Sequence, residues 1–559
     1  MPVVRTRLSK LAMLTSINDV EKLREVLFNL KCETEIEEDK IIAIEVQSDR
    51  LDMFSVEGIA YAVKLYAGLE KPKIPSYKLV FKALIEPPSK RPYIAIAAVK
   101  GIDIDEETLK ELIEFQERLH TTYGRNRRKI AIGLHDLRKL PKGDIIYREV
   151  DIDKAFMVPL FGNNKVSVRE VIESTDQGKL YGEISRWGNK HPALLVGEEI
   201  IALPPVINSD ITRLEPSSRD IFIDVTGTDF NAVMNVLNVI VHALSFYGGE
   251  ILGAEIYYPD KIVLSPNFES KNISIELDFA SKWLGIPKDE LMAEGSKALE
   301  RMGYIVDGVD ADHIIVKVHP SRCDILHQVD VVEDIAIGLG YNNLGLEFIS
   351  PPNTVKLPKF SDEVAIEEIL REILVGLGYI ELNTLTLAPS DVISLVSAEP
   401  FPLMVNAISK ELDSVRNSLI PSILIVLRDS QYVTLPVKVF EIGEVVERCA
   451  DCYNGWRNRA RLSFAIMDSE IRFEEVHADL YLILYELGLE KIVSIENCKQ
   501  KAFIEGRCGC IKYEDTMVGI FGEVHPNILK ILELEYPVAI TELYIDALAK
   551  VITCKQMSI

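Results

Sequence analysis

The run from His319 to Leu344, HPSRCDILHQVDVVEDIAIGLGYNNL, constrains this chain more tightly than any other stretch. It carries four acids close together: Asp324, Asp330, Glu333 and Asp334. The last three stand at i, i+3 and i+4, and a helix puts that spacing on one face. Val331, Val332, Ile335 and Leu339 fall together on a different face, as an amphipathic helix requires. Asp324 lies just upstream, on the strand or loop leading in. Carboxylates this close repel unless something cationic sits among them. Magnesium suits an all-oxygen set, because it keeps several waters and takes only a few carboxylates. A solvated acidic helix face has the same spacing. Spacing alone leaves both readings open.

The chain has 559 residues, enough for about three to five domains. Its 48% hydrophobic and 26% charged content is that of a soluble globular protein with several cores. No apolar run reaches the ~18–20 residues that span a bilayer. The start, MPVVRTRLSKL, lacks the apolar stretch of a signal peptide. We therefore expect a cytoplasmic protein without membrane contact. The net charge of −24 makes the chain a poor general binder of nucleic acid, so RNA contacts need local basic patches or a basic partner. Among eight cysteines, Cys449 and Cys452 form a CxxC, and Cys508 and Cys510 a CxC. The second spacing is wrong for the usual zinc ribbon or finger, so reduced or disulfide-linked cysteines are expected over zinc. The nine histidines are scattered singly. His327 reads as a helix-surface residue and His242 as a satisfied core histidine.

Four regions follow from the patterning: 1–80, 88–271, 273–348 and 355–559. In the first, SINDVEKLREVLFNL reads as a helix with Val20, Leu23, Val26, Leu27 and Leu30 on one side. KPKIPSYK then reads as a linker. In the second, a helix begins near Asp105 and buries Leu109, Leu112, Ile113, Gln116 and Leu119, with Asp103 or Asp105 as cap. Arg125, Arg127 and Arg128 follow, either as a solvated loop or as a contact for RNA phosphates. The third region is compact and mainly helical with a hairpin, and Gly303 ends the helix DELMAEGSKALERMG. Pro351 and Pro352 start a linker. The fourth opens on a helix with Ile366, Ile369, Leu370, Ile373, Leu374 and Leu377 in register, and continues as an antiparallel sheet with helices on one side.

One stretch of the second region points to chemistry. Leu203-Pro204-Pro205-Val-Ile-Asn208-Ser209-Asp-Ile-Thr212 is followed by Arg219-Asp-Ile-Phe-Ile-Asp224-Val-Thr226-Gly-Thr228-Asp229. Strand alternation puts Asp224, Thr226 and Thr228 on one face and Ile223 and Val225 on the other. Such a face lines something polar, or it looks at water. Thr228-Asp229 can cap the apolar helix that follows.

Several of these motifs resemble the β subunit of phenylalanyl-tRNA synthetase, archaeal/eukaryotic type. They are the Asp…Asp-x-x-Glu-Asp run followed by Gly340-Tyr341-Asn342-Asn343, the LPP…NS…FIDVTGTD stretch, and the segment around Asp52 (SDRLDMFSVEGIA). The resemblance implies an α+β, multidomain chain. It would hold a mixed α/β editing domain, a small helical magnesium-binding domain and a C-terminal antiparallel-sheet domain like a class II aminoacyl-tRNA synthetase core without its active site. Asn406 to Pro421 and the Phe440-Glu-Ile-Gly strand resemble that core, but no glycine-rich arginine signature and no Walker A loop accompany them. The resemblance further implies an (αβ)2 heterotetramer that joins phenylalanine to tRNA(Phe), with ATP bound in the α subunit and Mg²⁺ held by Asp324, Asp330, Glu333 and Asp334. The editing domain would hydrolyse tyrosine misattached to tRNA(Phe). An apolar phenylalanine pocket rejects an added hydroxyl by only ~10²-fold, so a second site must recognise it. Asp224 is a suitable acceptor for that hydroxyl. Thr226, Asn208 and Ser209 would hold the ester end or the attacking water, and Leu203, Pro204, Pro205, Thr212 and Thr228 would line the pocket. The rival expectation is a non-enzymatic assembly subunit with a relic pocket.

Overall fold

Asp19 sets the first long helix: its carboxylate accepts from the backbone N–H groups of Glu21 and Lys22, and Val20–Asn29 buries Leu23, Val26 and Leu27. This helix, Leu8–Thr15 and Val56–Tyr66 pack with a three-stranded sheet whose order is Val3–Arg7, Ile41–Glu45, Glu33–Ile36. The computed structural model describes residues 2–102, 104–345 and 361–557. Asp103 and the Pro351–Pro352 linker, named above, lie outside them. The chain divides into two compact units, Met1–Ser350 and Pro351–Ile559.

The centre of the first unit is a sheet of ten strands among the described residues. Nine follow the order Ile207–Asn208, Glu199–Leu203, Lys190–Val196, Ile145–Asp151, Lys78–Ile85, Glu250–Tyr257, Tyr93–Lys100, Asp220–Gly227, Ile130–Asp136, and Ile262–Ser265 branches from Glu250–Tyr257. Lys78–Ile85 is parallel to both neighbours, whereas the other pairs are antiparallel. The two ends of this order meet, because Asn208 Nδ2 donates to the carbonyl of Leu134 at 3.2 Å. The sheet therefore curls until its first and last strands face each other, and a cavity lies where they meet.

Asp220–Gly227 is buried on both faces. Ile221, Ile223 and Val225 join a core with the helix Phe230–Ser245, whose N-cap is Asp229. Phe222 joins a separate core on the opposite side. Asp224 and Thr226 share the parity of Phe222, and neither looks at open water. Thr228 lies beyond the strand and is exposed. The helix Glu106–Thr121 starts at Asp105, which accepts from Thr108 N–H. Its Ile113, expected in the core, is exposed and lines the cavity with Gln116.

Residues 271–345 form three strands, ordered Lys271–Glu276, His313–Val318, Ile305–Val309, with helices Leu277–Leu284, Lys288–Arg301 and Gln328–Leu339. A sheet of three strands thus replaces the expected hairpin. Its apolar side continues the core that the N-terminal helices share with the helix Phe230–Ser245.

The second unit holds a seven-stranded sheet ordered Ile380–Glu381, Val437–Arg448, Trp456–Met467, Val538–Tyr544, Thr516–Val524, Phe503–Tyr513, Ser494–Asn497. It is antiparallel except for the first pair. Helices cover both faces rather than one. Phe440, Leu462 and Phe464 pack toward Phe473–Glu486, while Val437, Val439, Ala465 and Met467 pack toward Ile420–Ser430. Alternation along the two long strands produces this division, since apolar side chains point both ways.

Candidate active site

The cavity between the sheet ends has a volume of about 360 Å³. Ala131, Ile132, Gly133 and Leu134 come from one end strand, and Leu203, Pro204, Pro205, Val206, Ile207 and Asn208 from the other end. Its walls are mostly apolar, as a pocket for an aromatic side chain requires. Asp224 sits at its floor, 1% exposed. His135 Nε2 is 2.9 Å from Asp224 Oδ1, and Thr212 Oγ1 is 2.7 Å from His135 Nδ1. With the carboxylate ionised, Nε2–H donates to Asp224 and the threonine hydroxyl donates to Nδ1. Among the described residues Asp224 Oδ2 has no hydrogen-bond partner, so it can accept.

Gly133 makes room for that pair. It lies opposite Asp224 in the ladder. A Cβ there would come within 2.1 Å of Asp224 Oδ1 and 2.9 Å of His135 Nε2. The row Thr212–His135–Asp224 contains the groups of a nucleophilic triad in reverse orientation. The carboxylate faces the cavity, whereas the hydroxyl is fully buried away from it. An attacking hydroxyl would have to occupy the Asp224 position, so covalent catalysis does not fit.

The other expected residues divide. Asn208, Leu203, Pro204 and Pro205 line the cavity. Ser209 does not: its hydroxyl donates to the carbonyl of Val158 at 2.9 Å. That bond pins a neighbouring turn and leaves Ser209 unsuited to hold an ester. Thr226 Oγ1 is buried without a hydrogen-bond partner among the described residues. Thr212 Oγ1 bonds His135 instead of lining the cavity, and the Thr228 hydroxyl reaches the carbonyl of Lys129 at 3.5 Å.

Arg127 is half-buried and bonded within the chain rather than lying in a solvated loop. Its guanidinium donates to the carbonyls of Pro205 and Val206 at 3.2 and 3.1 Å, pairs with Glu117 at 2.6 Å, and lies 4.5 Å from the Tyr181 ring centre. Burial alone would raise the Glu117 carboxyl, but His120 and Arg127 outweigh it and hold the pKa at about 2. Arg125 and Arg128 are exposed. The turn carries left-handed φ of 51°, 52° and 64° at Arg125, Asn126 and Arg127. Arg91 secures it from beneath: fully buried, it donates to the carbonyls of Thr226 (2.9 Å) and Arg127 (2.5 Å) and to Ser185 Oγ (3.0 Å). Burial lowers the Arg91 pKa to about 10.

Asp324 and the three acids of the helix Gln328–Leu339 do not converge. Arg322 forms a bidentate pair with Asp324, and its Nη2 lies 2.6 Å from Asp334 Oδ2. Tyr304 also donates to Asp334 at 2.6 Å. Asp330 instead accepts from the backbone N–H groups of Leu326 and His327, completing a capping box. Exposed Glu333 pairs with Lys31. His327 is the N-cap. The cation between Asp324 and Asp334 is thus a guanidinium, and these four do not fit one magnesium ion as arranged. No group of three or more His, Cys, Asp or Glu side chains is placed to hold a metal among the described residues. Cys449 pairs with Cys452, and Cys510 with Cys498 rather than with Cys508.

In the second unit, Phe440-Glu-Ile-Gly does have an arginine beside it, but that arginine is engaged internally. Arg416 Nη1 binds Glu441 at 2.8 Å and Thr384 Oγ1 at 2.7 Å, and its Nε donates to the carbonyl of Glu444 at 3.0 Å. The pair is almost fully buried.

The chain matches known sequences along most of its length, and part of it matches a solved structure. Residues 273–341 match the family described as tRNA synthetase B5 domain, which places the chain among tRNA synthetase polypeptides. Residues 349–545 match the phenylalanyl tRNA synthetase beta chain CLM domain. The phenylalanine–tRNA ligase beta subunit of Sulfurisphaera tokodaii is 39% identical over 541 residues, 95% of this chain and 96% of that one. That of Saccharolobus solfataricus is 38% identical over 536 residues, again covering 95% and 96%. An N-terminal fragment of the phenylalanyl-tRNA synthetase beta-subunit from Pyrococcus horikoshii superposes with a TM-score of 0.57 at 30% identity, covering 60% of this chain and 99% of the fragment. The chain belongs to the phenylalanine–tRNA ligase beta-subunit family.

Sequence reasoning missed His135. A single histidine in an apolar strand has no motif spacing. The available signal was parity: Ala131, Gly133 and His135 share one face of IAIGLHD, an unusually small and polar set for a buried strand.

Proposed function

We propose that this chain is the proofreading half of a two-subunit phenylalanine–tRNA ligase. In an (αβ)2 assembly the α subunit binds ATP and joins phenylalanine to tRNA(Phe). This chain hydrolyses the ester when tyrosine has been attached instead, and it works in the cytoplasm, where charged tRNA is consumed. One observation carries the reading: a buried carboxylate, with one oxygen bound to a histidine and the other without a partner among the described residues, lines an apolar cavity. Phenylalanine would leave that oxygen desolvated and unpaired, whereas the tyrosine hydroxyl would donate to it. Site-held polar groups of this kind discriminate strongly against the analogue that lacks the partner.

Hydrolysis then proceeds by positioning. The ring enters toward Asp224, which leaves the ester near Asn208 and the carbonyl-rich Pro205–Val206 wall that Arg127 braces. Water is the nucleophile, held for attack on the ester carbonyl. The test is deacylation of tyrosyl-tRNA(Phe) by the assembled enzyme. Asp224→Ala should lose about 10²-fold or more in kcat/KM, with phenylalanine charging retained. Deacylation at the wild-type rate would overturn the reading.

A further inference from the structure

At the rim of the same cavity Phe161 adopts φ 61°, a left-handed conformation that a bulky residue rarely takes. A strained conformation of this kind has to be held by the surroundings. They hold it in several ways. Phe161 N–H donates to Asp210 Oδ1 at 2.9 Å, Leu160 N–H to the carbonyl of Asn208 at 3.0 Å, and Gly162 N–H to the carbonyl of Pro159 at 2.7 Å. A Cβ on Gly162 would lie 2.9 Å from Pro159, so the turn admits only glycine there. The result is an aromatic ring that lines the cavity yet stays 78% exposed. The Arg213 guanidinium lies 5.6 Å from the ring centre, and Asp210, which anchors the turn, also binds Arg213 at 3.2 Å. One carboxylate therefore fixes both an aromatic face and a planar cation at the entrance.

We propose that Phe161 and Arg213 form a stacking platform for the terminal adenine of the tRNA acceptor end. The inference rests on the editing reading. If the aminoacyl side chain reaches Asp224, its ester-linked nucleotide is left at the rim, where this pair stands. An exposed aromatic with a neighbouring arginine is how proteins hold a single unpaired base. The chain's overall charge of −24 supplies no general attraction for RNA, which makes a local base contact the more necessary.

The experiment measures binding, not turnover, in the enzyme assembled with its α subunit. The probes are a non-hydrolysable amide, 3′-tyrosylamino-3′-deoxyadenosine, and its counterpart lacking the base. The wild type should prefer the adenosine probe by about tenfold or more. Phe161→Ala should abolish most of that preference, and Phe161→Trp should restore it. Equal binding of both probes by the wild type overturns the platform, as does a preference that survives Phe161→Ala. An enzyme that shows the preference but never deacylates tyrosyl-tRNA(Phe) would sink the editing reading and leave the base contact standing.

Discussion

Gly133 shows how a single absent methyl group governs a site. Its Cβ would occupy the space of the Asp224–His135 hydrogen bond. Gly133→Ala should therefore displace the carboxylate and lower tyrosyl-tRNA deacylation by about 10²-fold, an effect comparable to losing Asp224 itself. Overpacking of this kind costs about 1–3 kcal/mol, so the variant should still fold, and its charging rate should be near normal. A tyrosyl-tRNA deacylation assay beside a phenylalanine-charging assay reads both outcomes. Asp224 was legible from strand alternation because its neighbours obey a period of two. His135 was not, because its partner is supplied by the pairing of two strands far apart in sequence. Ser209 shows the converse: a hydroxyl in a suggestive motif, already committed to the carbonyl of Val158.

At the scale of elements, the helix Gln328–Leu339 is docked by charge as well as by its apolar face. Asp334 and Asp324 are nearly buried and share Arg322. Burial raises the Asp334 pKa above the usual carboxylate range, against the opposing pull of the Arg322 guanidinium. Removing it leaves two acids without their cation. Arg322→Met should cost about 3–5 kcal/mol in chemical denaturation. A shift under 1 kcal/mol would mean that the pair contributes little to docking. The i, i+3, i+4 pattern correctly located this helix and its apolar face. It could not show that its three acids serve three separate tasks, because that depends on Arg322, Tyr304 and Lys31 arriving from outside the helix. The sheet of the second unit was legible as antiparallel for the same reason that its second covered face was missed. The strands were read for alternation of polar and apolar, and they are apolar on both sides.

At the scale of the whole molecule, the two units have separate interiors, Met1–Ser350 around one set of cores and Pro351–Ile559 around another. Acid should weaken the first. His242 and His319 lie ring to ring at 4.4 Å beside Tyr61, and His242 Nδ1 is buried without a hydrogen-bond partner among the described residues. His242 is thus a core residue but not a satisfied one. Burial holds His242 down to about 4 and His319 to about 3. Both folded values lie below the ordinary ~6.5, so the stability they contribute is complete above that pH and is lost as pH falls toward 4 and 3. The slope approaches about 1.4 kcal/mol per pH unit for each histidine. Calorimetry between pH 7 and pH 4.5 should show the transition of the first unit falling, and His242→Phe should flatten the dependence. An unchanged slope in that variant would refute the assignment.

The curl of the large sheet has a consequence for how this enzyme fails. Its closing strand, Ile207–Asn208, has two residues, and the seam across the cavity includes the bond from Asn208 to Leu134. Short terminal strands are the first to fray on warming. The chemistry assigned to the partner subunit does not pass through this seam. Heat should therefore make the enzyme careless before it makes it idle: tyrosine should begin to replace phenylalanine in newly made protein at temperatures where synthesis still runs at full speed.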